Sequence, residues 1–298
     1  MLVSAGAVAA LTAQSEQRAT FRSSADLVSV AVVVRNGDGR IVRGLQPSDF
    51  EVLDCGTAKP IVQFQHGEGA DARLAMLVDG SGSMVLDGKR QQSQLAAEFL
   101  LASFKQADTA TVFTFDKRLR RLTPFTHDRD VLRAAVDSVE PYGVTSIYDA
   151  IVGTVRTVME DMPRGRAVLL LTDGDDTASR FSAGDAAEAA AALDIPLYVL
   201  ALGAADAAPL ADGTTPPPPT DTPEALTLHD LAQRTGGLAA AANTPAQLSI
   251  VTRTILDELR HQYVIAFPAG SDKGWHKVAI RVRRGRVQAR SRNGYLVS

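Results

Sequence analysis

Three apolar runs constrain the fold more than anything else in the chain: RLAMLVD at 73–79, RAVLLLTD at 166–173 and PLYVLALG at 196–203. Each is short for a helix and lacks polar alternation, as expected of strands covered on both faces. Helical patterns intervene and follow, at 89–107, 129–139, 146–162, 182–193 and 227–235. The segment 245–262 carries its own start signal, with Thr244 at the N-cap, Pro245 at the first helical position and Gln247 closing a capping box. Leu248, Val251, Ile255 and Leu259 form its apolar stripe. TATVFTFD (109–116) and RRLTPF (120–125) read as further strands. Strands alternating with helices predict an α/β domain, its mostly parallel sheet flanked by helices.

Both ends of the chain read differently. VSVAVVV, RIVRGL, FEVLD and IVQFQ, between 28 and 65, read as short strands separated by turn sequences such as RNGDGR and CGTAKP. YVIAFP, HKVAIRVR and VQARSRNGYLV, after residue 262, resume that pattern. Neither end has enough apolar residues for a core of its own, so the two are expected to share one smaller β-sandwich-like domain. The expected organisation is a signal-like segment at 1–25, half of the β domain at 26–70, the inserted α/β domain at 71–262 and the second half at 263–298. A Pro-rich stretch at 204–225, with four consecutive prolines, reads as a flexible insertion within the α/β domain. The arginines of RVRRGRVQARSR (281–292) alternate with valines and are expected on the solvated face of an edge hairpin.

Composition narrows the function classes. Hydrophobic content of 45% and charged content of 22% suit a globular protein, and a net charge of −3 argues against general nucleic-acid binding. The single cysteine, Cys55, excludes an internal disulfide and is expected to exclude a Cys-based zinc site. Its expected fate is burial as a small hydrophobe. The five histidines are scattered, with no pair at helical ligand spacing. MLVSAGAVAALTAQ, apolar and then small and polar, resembles a secretory signal without a basic start, so the protein is expected to be exported to periplasm or exterior. No stretch approaches the ~20 apolar residues of a membrane span.

The chemistry gathers at the ends of the apolar runs. Ligands in an open parallel sheet bind at the carboxyl edge of the strands. Asp79 ends one run, in DGSGS, and Asp173 ends another, in LLLTDGDD. Alternation along 79–83 is expected to send Asp79, Ser81 and Ser83 to one side, and Thr145 of GVTS completes the set at the entrance of a helix. Two carboxylates and three hydroxyls are hard oxygen ligands suited to Mg²⁺ or Mn²⁺; Ca²⁺ usually takes more ligands.

These pieces, in this order, resemble the metal-ion-dependent adhesion site (MIDAS) of the von Willebrand factor A family, over roughly residues 72–262. The flanks, VSVAVVVRNGDGRIVRGLQPSDFEVLD and LRHQYVIAFP with KVAIRVRR and RNGYLV, resemble a bacterial, exported subfamily. The resemblance implies a Rossmann-like domain that binds partners and is not an enzyme. It implies that Ser81, Ser83 and Thr145 contact the metal, that Asp79 and Asp173 act largely through water, and that an open position receives an Asp or Glu of a partner protein. Met84, Asp87, Gly143, Val144, Ser146, Asp175 and Asp176 are expected at the rim. Asp206, Asp212 or Asp221 of the Pro-rich stretch is expected to reach the open position as an internal mimic. In related adhesion domains the last helix moves with the state of the metal site, and here that helix, 245–262, runs into the β domain.

Two other classes remain. A Mg²⁺-dependent phosphohydrolase would use Asp87, Asp149, Asp175 or Asp176 as a base, but no phosphate-cradling loop or Lys/Arg clamp is visible near the motifs. A metal-independent scaffold would bind through the Arg-rich hairpin or the strand edges.

Overall fold

Alternating valines build the first strand. In β1 (Leu27–Asn36), Val28, Val30, Val32 and Val34 are buried in one apolar cluster. β2 (Phe50–Asp54) and β3 (Thr57–Lys59) form a hairpin whose turn residues, Cys55 and Gly56, have φ of 48° and 83°. β4 (Gln63–His66) completes the N-terminal strands. The computed structural model describes residues 27–67, 69–161, 166–174, 176–203 and 223–297. The signal-like segment, Asp175 and residues 204–222 of the Pro-rich stretch, with Asp206, Asp212 and Asp221, lie outside the described residues.

The α/β domain runs β5 (Arg73–Asp79), α1 (Lys89–Ala102), β6 (Thr109–Phe115), β7 (Leu119–Arg121), α2 (Arg129–Asp137), α3 (Ile147–Asp161), β8 (Arg166–Thr172), α4 (Ala183–Ala192), β9 (Leu197–Ala201), α5 (Pro223–Arg234), β10 (Ala239–Ala241) and α6 (Pro245–Arg260). Its six-stranded sheet has the order β10-β9-β8-β5-β6-β7, parallel except for β7. Side chains of β5 alternate between two cores. Leu74, Met76 and Val78 meet α1, α2 and α6, whereas Ala75 and Leu77 meet α3, α4 and α5. Burying each large one contributes roughly 1.5–3 kcal/mol, which explains why so apolar a strand lies inside the sheet.

The last strands are β11 (Tyr263–Pro268), β12 (Gly274–Val282), β13 (Val287–Ser291) and β14 (Gly294–Val297). They join the first ones in two antiparallel sheets, β13-β1-β11-β4 and β14-β12-β2-β3. One cluster fills the space between them, including Phe50, Val52, Tyr263, Ile265, Phe267, Val278 and Tyr295.

Several local expectations need correction. RIVRGL is not a strand: it makes only an isolated bridge, Arg35 with Ile41. The Tyr263 hydroxyl instead donates to Val42 O (2.9 Å) and accepts from Leu45 N (3.2 Å). CGTAKP contains β3. α1 ends at Ala102, short of 107, because Asp108 accepts from Ala72 N (2.7 Å) and Lys105 N (2.6 Å), a local bonding pattern that competes with helix. α5 begins at Pro223, so the last residues of the 204–225 stretch are helical.

The Arg-rich hairpin divides. Arg281, Arg283 and Arg284 are exposed and reach Glu51 or Asp49, as a solvated face should. Arg290 and Arg292 instead grip the α/β domain, where Arg290 pairs with Glu258 and Arg292 lies 3.4 Å from Asp194. Glu258, on α6, is fully buried and also takes Arg35 of β1 at 2.8 Å. The reason is charge pairing: a buried carboxylate needs cations, and the two nearest come from the sandwich.

Candidate functional site

β5 leads to β6 on one side of the sheet, and β8 leads to β9 on the other. The crevice at the carboxyl ends of β5 and β8 is therefore the topological switch point, where doubly wound sheets bind ligands. Asp79 is the last residue of β5, and Asp173 follows the last residue of β8.

The turn after β5 is built in two parts. Ser81 is extended (φ −75°, ψ 162°), and a 3-10 stretch spans Gly82–Gly88. Alternation thus holds only as far as Ser81; the tight turn then brings Ser83 back, with 3.0 Å between the two Oγ atoms. Asp79 Oδ1 accepts from Ser81 N (2.8 Å), and its Oδ2 accepts from the Thr172 hydroxyl (2.6 Å). Gly80 is required by close approach: a Cβ there would lie 2.9 Å from Thr114 Oγ1 and 3.2 Å from Phe115 O.

Two more loops are stitched to this turn. Tyr142 N donates to Gly80 O (2.8 Å), and Gly82 N donates to Gly143 O (3.0 Å). Thr145, in the same loop, is buried, and its carbonyl accepts from Thr177 N (2.9 Å) and Ala178 N (3.0 Å). Asp79, Ser81, Ser83, Thr145 and Asp173 thus lie on three mutually bonded loops.

The electrostatics are unbalanced. Burial is the main force on Asp79 and pushes its carboxyl up to about 6, while hydrogen bonds from Thr172 and Ser81 pull it down and the charge of Asp173 adds to the rise. Asp173 Oδ2 meets Lys89 Nζ at 3.0 Å. Its Oδ1 is buried, and no described group hydrogen-bonds it. A buried carboxylate oxygen without a donor, beside a second desolvated carboxylate and serine hydroxyls, is a donor set that fits a hard divalent cation.

The expected rim is only partly rim. Asp87, Gly143 and Val144 are exposed. Met84 is 1% exposed and packs in the core with α1, because the 3-10 turn points it inward. Ser146 is buried, its N–H donating to Asp116 O. Asp176 is occupied in structure: its Oδ1 accepts from Ile147 N (2.7 Å) and the Ser179 hydroxyl (2.6 Å), anchoring the start of α3. Asp149, a candidate base, likewise accepts from Arg180 N (2.9 Å) and Phe181 N (3.0 Å).

Sequence reasoning missed Lys89, a basic residue at the motif, and Thr172. It also missed an apolar collar: Val85, Leu86 and Tyr142 are 62%, 59% and 82% exposed on the two loops around the serines. A signal for the collar was present, since MVL follows DGSGS directly in a loop that has no reason to be apolar.

The fold defines a doubly wound α/β domain joined to a β-sandwich. Residues 74–175 match the von Willebrand factor type A domain, and the chain therefore contains such a domain, a module that generally mediates protein–protein interaction. Among solved structures it is similar to a von Willebrand factor type A protein of Catenulispora acidiphila, at 12% identity and a TM-score of 0.51, over 93% of this chain and 75% of that one. It is also similar to the conserved hypothetical protein BatB of Bacteroides thetaiotaomicron, at 21% identity and a TM-score of 0.50, over 63% of this chain and 98% of that one. An aerotolerance-related membrane protein of Bacteroides fragilis matches over the same shares, at 19% identity and a TM-score of 0.50. At such identities the likeness is one of fold. No curated protein matches the chain in sequence. Among the described residues, no helix is long and apolar enough to cross a membrane.

Proposed function

We propose that the chain is an exported, metal-dependent protein-binding module that captures an acidic side chain of a partner protein. One observation carries the reading: at the switch point, Asp173 Oδ1 is buried with no donor among the described residues, beside Asp79, itself desolvated. In this reading Ser81, Ser83 and Thr145 offer hydroxyls, and Asp79 and Asp173 supply the charge that holds Mg²⁺ or Mn²⁺. The bound ion supplies a Lewis-acidic position for a carboxylate oxygen. Lys89 holds Asp173 in place and neutralises part of its charge, so the site keeps an appetite for a further anion. Val85, Leu86, Tyr142 and Val144 offer apolar contacts around the captured carboxylate, and Asp87 discourages partners with acidic flanks.

The test is a pull-down from the native secretome in Mg²⁺ and in EDTA, with wild type and Asp79→Ala, alongside thermal unfolding with and without Mg²⁺. Partners retained in Mg²⁺ and lost in both controls support the reading. Partner binding indifferent to EDTA supports the metal-independent scaffold instead, and turnover of phosphate esters abolished by Asp79→Ala supports the phosphohydrolase.

A further inference from the structure

A second group of ligand-type side chains lies in the sandwich. Asp54 ends β2, Cys55 occupies the hairpin turn, and His276 sits on β12, which pairs with β2. His276 Nδ1 lies 2.9 Å from Asp54 Oδ1 and 3.9 Å from Cys55 Sγ. The thiol is exposed and the other two side chains are buried, so the expected burial of Cys55 is overturned. The turn displays it, and Cys55 N donates to Lys277 O (2.8 Å), which fixes the turn beside His276.

The hydrogen bonds around this trio set its chemistry. His276 Nε2 lies 2.7 Å from the backbone oxygen of Asp272. A carbonyl oxygen only accepts, so Nε2 carries a hydrogen. Nδ1 of a neutral ring is then a bare lone pair, facing a carboxylate oxygen at 2.9 Å. Two acceptors at that separation need a cation between them, either a proton or a metal. The outer contacts are those of a metal site: the other ring nitrogen donates to a carbonyl, and Asp54 Oδ2 accepts from the Tyr295 hydroxyl (3.0 Å). That hydroxyl is itself oriented by Gly270 N (2.9 Å). Gly270 closes one side, since a Cβ there would lie 2.2 Å from His276 Cε1.

We propose that Asp54, Cys55 and His276 form a transition-metal site of the zinc class, with three protein ligands and a fourth position open to solvent beside Cys55. In a tetrahedral zinc site, bonds of about 2.0–2.3 Å place neighbouring ligand atoms about 3.4–3.6 Å apart. The observed 2.9 and 3.9 Å bracket that spacing, and the three ligand atoms all lie within 4.8 Å of one another, so side-chain adjustment of about an ångström brings them onto one ion. Thiolate and imidazole favour zinc over magnesium, which separates this site chemically from the all-oxygen one. Binding displaces the thiol proton and any proton shared between His276 and Asp54, leaving Nδ1, Sγ and Oδ1 as donors.

The test titrates the reduced, metal-stripped full chain with Co²⁺ and Zn²⁺. Expected is one equivalent of Co²⁺ giving a thiolate-to-cobalt charge-transfer band, displaced by Zn²⁺, with Zn²⁺ shielding Cys55 from alkylation. Cys55→Ser, at an exposed turn, abolishes the band while thermal unfolding shows an intact fold. Tyr295→Phe weakens binding about tenfold. Asp79→Ala leaves the band unchanged, so success here does not depend on the other site. A wild-type spectrum indistinguishable from that of Cys55→Ser, or equal alkylation rates with and without Zn²⁺, overturns the proposal.

Discussion

Replacing Asp79 with asparagine tests the physical basis of the switch-point site before any partner is known. The folded-state value of this carboxyl, about 6, stands above the ordinary 3.8, chiefly through burial. Folding thus favours the protonated form. The stability from this group is full below 3.8 and is lost as pH rises through about 6. At neutral pH in EDTA the difference corresponds to about 3 kcal/mol of penalty for holding the charge. Asparagine keeps the shape and drops the charge. Its oxygen can accept from Ser81 N, and its amide can donate to Thr172 Oγ1, which already accepts from Gly174 N (3.2 Å) and has a second lone pair. The buried Thr172 hydroxyl then loses the oxygen it donates to, which offsets about 1 kcal/mol. Asp79→Asn should therefore be more stable than wild type by about 1–2 kcal/mol at neutral pH in EDTA, or about 2–8 °C in the transition of the α/β domain. The gain should vanish as pH falls below the ordinary carboxylate range. Mg²⁺ should reverse the order, raising wild type and leaving the variant unmoved. Calorimetry over a pH series with and without Mg²⁺ measures all of this. A variant less stable than wild type in EDTA at neutral pH, or a difference independent of pH, would refute the reasoning.

Other outcomes follow from the same geometry. Mg²⁺ affinity measured by calorimetric titration should be level above about 6 and fall by up to about tenfold per pH unit below it, as Asp79 takes up a proton. Lys89→Met removes the ammonium beside Asp173 and should tighten Mg²⁺ binding by about tenfold in the same titration. Gly80→Ala drives a methyl against Thr114 and the Phe115 carbonyl; it should weaken Mg²⁺ binding and lower the unfolding temperature, with the sandwich unaffected by circular dichroism. Glu258→Ala frees Arg35 and Arg290, whose side chains are 18% and 23% exposed, so water offsets part of the loss. Urea unfolding should show a cost of about 2 kcal/mol, below the 3–5 typical of a broken buried pair.

The architecture was legible wherever one element decided its own environment. β5, β8 and β9 read as strands covered on both faces because their apolar runs leave no polar side. The start of α6 was spelled out by Thr244, Pro245 and Gln247, and the capping box is present. The motif loops could be ordered along the chain because each follows its own strand or precedes its own helix. Illegible features depend on how distant elements meet. Lys89 reaches Asp173 only because the first residue of α1 comes to lie near the end of β8, and no local pattern announces that. Met84 points inward because a 3-10 turn replaces the extended alternation assumed for DGSGS. Cys55 and His276 are 221 positions apart and become neighbours through the pairing of β2 with β12, so ligand spacing along the sequence could not reveal them. Arg290 and Arg292 share their alternation with truly solvated arginines; only the docked domain distinguishes the two sets.

The final turn of α6 is pinned to two sandwich strands through Glu258, and just two residues separate Arg260 from Tyr263 of β11. One turn of axial travel amounts to about 5.4 Å, about half of the roughly 10 Å that so short a link spans at full stretch, and the ion pairs at Glu258 would have to break for it. The helix cannot slide like a piston while its neighbour stays put. Any push on it becomes torque on the sandwich, making the two halves of the molecule a crank and its arm.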